Sequence, residues 1–189
     1  MTPEPPKGRK AGRTAFDGFA PAGYRIRMME PGEAEALHRI DTRATLMLAG
    51  AGKPDLVSNP LDRFVHFLLR HDVLVAAQEH DGAPAGFAAG APFHEVYWLA
   101  ELGVDPDHGR RGLGTAMVRA VAARAGWFRH PAVALSTFAD LPCGVPFYER
   151  IGFHPLAPKD VPPWAEARRR EEAPPGSDGS DRVVMIRRL

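Results

Sequence analysis

The alternation of apolar and polar positions changes period several times along the chain. Tyr24, Ile26 and Met28 alternate with Arg25 and Arg27, a pattern that predicts a first strand. Pro31 then suits a first helical turn, and Leu37, Ile40, Ala44, Met47 and Leu48 recur at helical spacing until Gly50 and Gly52. Pro54 extends that loop. Ser58 is the expected N-cap of a second short helix, with Pro60 inside it and Leu61, Phe64, Val65 and Leu68 on one face. From Asp72 the period falls to two: Val73 to Ala77, the turn His80-Asp81-Gly82 and Ala85 to Pro92 predict a hairpin. Its second arm has the small residues Gly86, Ala88, Ala89 and Gly90, as where a neighbouring segment or ligand passes closely, or where packing is loose.

Glu95 to Val104 predicts another strand, with Val96, Trp98, Ala100, Leu102 and Val104 in one set and Glu95, Tyr97, Leu99 and Glu101 in the other. Leu113, Ala116, Met117, Ala120, Val121 and Arg124 mark the clearest helix, ended by Gly126. Ala132 to Phe138 is a further strand, Pro146 to Ile151 a short helix stopped by Gly152, and the chain from Phe153 onward extended. Glu171 to Asp181 is expected to be a mobile loop, and Arg182 to Leu189 a closing strand. No internal repeat occurs.

Composition narrows this picture. A chain of 189 residues, 44% hydrophobic and 25% charged, suits one core, read as a flexible arm over residues 1–21 and a single domain over 22–189. Lys plus Arg (24) nearly balance Asp plus Glu (23), so no global field favours nucleic acid or an anionic membrane. Lys7, Arg9, Lys10 and Arg13 are read as part of a solvated tail. Cys143 is the one cysteine, and eight histidines lack the spacing of a zinc helix, so no metal is assigned. Met1 to Lys10 contain no apolar run, and no apolar stretch approaches the ~20 residues that span a bilayer, so the expected setting is cytoplasmic.

The segment from Asp105 to Thr115 lies between a strand and a helix. Its glycines leave backbone N–H groups open at a positive helix end, and Arg110 and Arg111 add charge suited to a diphosphate. A plain glycine-rich connection with two solvated arginines is the bland alternative. A Walker A loop fails, because Thr115 stands where its Lys belongs; the dinucleotide fingerprint fails at Met117, where its third glycine belongs. Leu102-Gly103-Val104-Asp105-Pro106 followed by Gly109-Arg110-Arg111-Gly112-Leu113-Gly114-Thr115 resembles the acetyl-CoA motif of the GNAT (GCN5-related N-acetyltransferase) superfamily, Gln/Arg-x-x-Gly-x-Gly/Ala. Gly112 and Gly114 match the glycines, whereas Gly109 replaces Gln or Arg. A second stretch, Phe147-Tyr148 followed by Gly152-Phe153, resembles the family's later motif.

That resemblance implies an α/β fold with a central mixed, largely antiparallel twisted sheet of six to seven strands. About four helices flank it, and it is splayed at the acetyl-CoA site. It implies that residues from Gly109 and Arg110 to Thr115 hold the pyrophosphate, that backbone near Leu102 and Val104 pairs with the pantetheine arm, helped by a bulge or splay at Gly103, and that Phe147 borders the cofactor. The implied reaction is direct acetyl transfer from acetyl-CoA to a primary amine of a small molecule or peptide. Tyr148 would be its general acid, with a core tyrosine beside Phe147 and Phe153 as the plainer reading. Glu101 is the preferred base; Glu95, His94 and a water chain remain alternatives, as does a surface salt bridge for Glu101 itself.

Cys143 is read as an incidental thiol near the adenosine side, and Gly144 replaces an Asn common in the family. The acceptor site is expected along Glu30 to Arg70 and Pro155 to Arg170, with His38, Asp41, Arg43 and Asp55 as candidate polar lining. The competing classes are a non-catalytic acyl-CoA-binding module and, more remotely, nucleic-acid binding through Lys7 to Arg13 and Arg168 to Arg170. A homodimer through the closing strands is the expected assembly.

Overall fold

The computed structural model describes residues 15–174 and 177–189. Its elements run β1 (Tyr24–Met28), α1 (Ala34–Gly50), α2 (Leu61–Leu68), β2 (Asp72–Gln78), β3 (Pro84–Phe93), β4 (Val96–Val104), α3 (Leu113–Trp127), β5 (Ala132–Phe138), α4 (Val145–Glu149), β6 (His154–Pro155), α5 (Pro163–Glu171) and β7 (Arg182–Arg188). The strands form one mixed sheet in the order β1-β2-β3-β4-β5-β7-β6. All pairs are antiparallel except β4 with β5.

The hydrophobic pattern sorts the layers. Tyr97, Leu99, Leu102 and Val104 of β4 pack with α3, α4 and Phe153 on one face. On the other, Leu37 and Ile40 of α1 and Phe64 and Leu68 of α2 cover Val73, Val75 and Phe87. Trp98, Phe93 and Trp164 extend that second face toward α5.

Several expectations need correction. Pro31 precedes α1, which starts at Ala34 with Glu33 as N-cap. Only Leu37 and Ile40 of the α1 stripe are buried; Met47 is 51% exposed, because the later half of the helix has no apolar layer beneath it. Ser58 does not cap α2, whose N-cap is Pro60; its hydroxyl donates instead to Asp41 Oδ2 at 2.6 Å. The extended chain expected after Phe153 contains α5, whose Glu166 pairs with Arg169 and Arg170 one turn on. The loop expected over Glu171 to Asp181 begins after α5; residues 175 and 176 lie outside the described residues. Residues 15–21, expected within the arm, pack on the domain: Phe16 is buried, its ring 5.2 Å from Trp127. Lys7, Arg9, Lys10 and Arg13 lie outside the described residues. Among the described residues, no helix is long and apolar enough to cross a membrane.

The feature that positions a site is where β4 and β5 part. They pair only over Tyr97 to Leu99 against Val133 to Leu135. Beyond Leu99 each stays bound to its outer neighbour: β4 to β3 as far as Val104, and β5 to β7 as far as Phe138. A V-shaped opening results, with backbone edges on both walls. The bulge lies at Ala100, where Glu101 pairs with Ala89 and Leu99 with Gly90, and not at Gly103 as expected. Gly103 serves packing instead, since a Cβ there would lie 2.7 Å from the Phe87 ring.

Candidate active site

The loop from β4 to α3 presents unbonded amides. A short 3-10 turn over Pro106–His108 is capped by Asp105, whose side chain accepts from the Asp107 amide at 2.9 Å. Arg110 (φ 55°) and Gly112 (φ 82°) then take left-handed conformations that turn the chain into α3. No side chain caps that helix, and among the described residues no acceptor takes the amides of Arg110 to Thr115. These orphan donors at a positive helix end suit a diphosphate such as the CoA pyrophosphate. Leu113 contributes its amide only, since its side chain is buried in the core. Gly114 is needed for close packing: a Cβ would stand 3.3 Å from Phe147 Cζ.

The two arginines differ. Arg111 donates to Tyr24 Oη at 3.1 Å and to the Asp107 carbonyl at 3.4 Å. Arg110 has no hydrogen bond or ion pair with any described residue. Asp105 and Asp107 are held by Arg43 of α1, at 3.0 and 2.9 Å, which ties that helix to the loop.

The bulge at Ala100 also re-aims Glu101. Simple alternation puts Glu101 opposite Trp98; the extra residue places both on the α1 side of the sheet and leaves Leu102 and Val104 on the α3 side. Glu101 lies past the last β4–β5 pair and is exposed, so water reaches its carboxylate and moderates the desolvation that the crowded surroundings impose. Its Oε1 accepts from the Leu102 amide at 3.2 Å. Desolvation, reinforced by the Asp41 charge, pushes its pKa up to about 7, against the opposing effects of that amide and Arg182.

Tyr148 approaches from the other face, on α4, with its ring against Phe147 and Phe153. The residue is 8% exposed, and its hydroxyl has no partner among the described residues yet is not sealed from solvent. Burial first, then the charge of Glu101, raises its pKa, so the phenol stays protonated. Tyr148 depends on a tight preceding turn: a Cβ at Gly144 would collide with the Phe138 carbonyl oxygen, which explains why no side chain stands there.

The remaining candidates separate. His94 stacks on Trp164 at 4.9 Å, and both it and Glu95 lie in the β3–β4 turn, at the far end of β4 from the glycine loop. Cys143 is an exposed free thiol in the turn before α4. Although the residue is exposed, the protein around its sulfur pushes the thiol pKa up, away from thiolate chemistry. Arg168, Arg169 and Arg170 are ion-paired with Glu166, Glu171 and Glu172. Pairing with β6 covers Met185 and Ile186, so the closing strand is not a free edge there.

Two groups were not singled out in the sequence. Glu172, just after α5, accepts from Trp98 Nε1 at 2.7 Å and Arg168 Nε at 3.0 Å, and burial pushes its pKa up to about 7. Arg182 bonds the Ser136 hydroxyl (2.8 Å) and carbonyl (2.7 Å) on β5. Across the same end, Lys53 in the loop after α1 reaches Asp181 at 2.6 Å and Asp140 at 3.0 Å, over the Phe138 ring.

Residues 70–155 match the family model described as an acetyltransferase (GNAT) domain. The fold is similar to that of the ribosomal-protein-S18-alanine N-acetyltransferase from Escherichia coli, with a TM-score of 0.65 and 20% identity over 88% of this chain and 94% of that one. It is also similar to Ard1 from Thermoplasma volcanium (TM-score 0.64, 19% identity, 89% of this chain and 99% of that one). An N-acetyltransferase from Thermoplasma acidophilum, solved in complex with coenzyme A, gives a TM-score of 0.62 at 14% identity over 88% of this chain and 99% of that one. At such identities the likeness establishes the fold.

Proposed function

The chain belongs to the GNAT acetyltransferase superfamily, and from that membership we propose that it transfers the acetyl group of acetyl-CoA directly to a primary amine. The observation that carries this reading is the opening between β4 and β5, with unbonded α3 amides at one end. The amides of residues 110–115, with Arg110, hold the pyrophosphate, and the free β4 edge near Leu102 and Val104 takes the pantetheine arm as an added strand.

The chemistry is an exchange of one bond for another. The amine nitrogen forms a bond to the thioester carbonyl carbon, and the carbon–sulfur bond breaks. Glu101, as carboxylate, accepts the proton that the nitrogen must lose, directly or through one water. Tyr148 donates its phenolic proton to the departing thiolate. A buried, protonated phenol and a carboxylate poised near neutrality suit those opposite duties.

The test is free-thiol release from acetyl-CoA with a panel of primary amines, product masses being read in parallel. Acetylated amine and free CoA in equal amounts support the reading. Tight acetyl-CoA binding with no transfer to any amine would favour a non-catalytic acyl-CoA-binding module.

A further inference from the structure

The edges of the opening are finished differently from an ordinary ladder. Ala139 donates its amide to the Asp181 carbonyl, and Leu189 to that of Pro131, so the odd-numbered residues of β5 turn their backbone groups to β7. Ala134 and Ser136 therefore face β4. Given the parallel register of Tyr97 to Leu99 with Val133 to Leu135, the next bond of that ladder would run from the Glu101 amide to the Ser136 carbonyl. It is not made. Asp105 donates to Ala85, so beyond the bulge at Ala100 it is Glu101 and Gly103 that face β3, while Leu102 and Val104 face the opening.

Arg182, the first residue of β7, takes the place of the missing donor. Its Nη2 donates to the Ser136 carbonyl at 2.7 Å and its Nε to the Ser136 hydroxyl at 2.8 Å, with the guanidinium over the Phe138 ring. Behind it, Glu172 Oε2 lies 3.7 Å from Nη2 and is buried with no hydrogen-bond partner among the described residues. The other oxygen, Oε1, accepts from Trp98 of β4 and Arg168 of α5. An indole on β4, a carboxylate, a guanidinium and a carbonyl on β5 thus form a polar bridge between the walls of the opening. The β4 edge is capped more weakly, its Leu102 amide donating to Glu101 Oε1 at 3.2 Å. Without Arg182, an unpartnered carbonyl on β5 would face a loosely held amide on β4, and closing the two together would satisfy both.

We propose that Arg182 is a positioning residue that holds β5 off β4 and so fixes the width of the slot. With the Ser136 carbonyl occupied, the Leu102 amide is left for the pantetheine arm, which pairs with β4 alone. The occupant of the slot rests on the acetyl-transfer reading above; the bridge rests on contacts within the chain.

Amide exchange followed by NMR in the unliganded protein, with acetyl-CoA calorimetry beside it, tests this in Arg182→Met, in Arg182→Lys and in Arg182→Met combined with Glu172→Gln. The combined variant removes the buried charge that Arg182→Met leaves with one partner fewer, so a result shared by both does not come from that charge. In both, the Leu102 amide is expected to exchange about tenfold more slowly as it closes onto Ser136, and the Kd for acetyl-CoA to rise about tenfold. Arg182→Lys, whose ammonium can cap the carbonyl but lacks the fork that also holds the hydroxyl, is expected to fall between these and the unaltered protein. A general loss of structure would speed exchange instead. Unchanged or faster exchange at Leu102 in both variants lacking a cation at 182, or unchanged acetyl-CoA affinity in them, overturns the positioning role and leaves acetyl transfer standing. No acetyl-CoA binding by the unaltered protein overturns the transfer reading, while slower exchange at Leu102 would still support the bridge.

Discussion

Glu101 and Tyr148 differ in what substitution and titration reveal. Glu101 must be ionised to accept a proton, and its pKa stands at about 7. kcat/KM is therefore expected to climb with pH below 7, with a slope of about one, and to level off above it. Glu101→Gln should flatten that rise and lower the plateau. For Tyr148→Phe, kcat should fall roughly 100-fold or more with little change in the KM for acetyl-CoA, as steady-state kinetics would show. Arg110→Ala should weaken acetyl-CoA binding in calorimetry, more at low salt, because its guanidinium has no partner among the described residues. Arg111→Ala should act less on binding, since Arg111 is engaged by Tyr24 and Asp107. At this scale the sequence marked Glu101 and Tyr148, but not their environments. Glu172 and Arg182 passed unnoticed because their partners Trp98 and Ser136 lie 74 and 46 residues away in the chain.

Among the elements, two turns set the geometry. Gly112 enters α3 at φ 82°, which an alanine reaches at a cost of about 1 kcal/mol or more. Gly112→Ala should lower Tm modestly and raise the Kd for acetyl-CoA, both measurable on one sample. Gly144→Ala should be harsher, because the Cβ meets the Phe138 backbone and the displaced turn carries Tyr148. Activity is expected to fall further than acetyl-CoA affinity. Strand and helix order were legible wherever period was strong, as in Leu113 to Arg124 or the hairpin after Asp72. The bulge at Ala100 was not. One extra residue reverses the faces of a strand, and nothing in alternating Val96 to Val104 announces it. α5 escaped notice because it buries only Ala165 and is laced by charge pairs, so it has almost no apolar stripe.

For the whole molecule, the parallel β4–β5 pair at the centre of an otherwise antiparallel sheet opens after three residue pairs, and both faces meet there. The glycine loop made a candidate anion site legible in the sequence, whereas the length of the opening and the carboxylates around it depend on contacts between distant segments. The central claim is that this opening holds acetyl-CoA while an amine takes its acetyl group. The most direct check is thiol release from acetyl-CoA with a primary-amine panel, run beside Tyr148→Phe and Glu101→Gln at matched acetyl-CoA occupancy. The expected result is one free CoA per acetylated amine in the unaltered protein, and both yields strongly reduced in each variant. Undiminished transfer in both variants, or bound acetyl-CoA that no amine discharges, would contradict it.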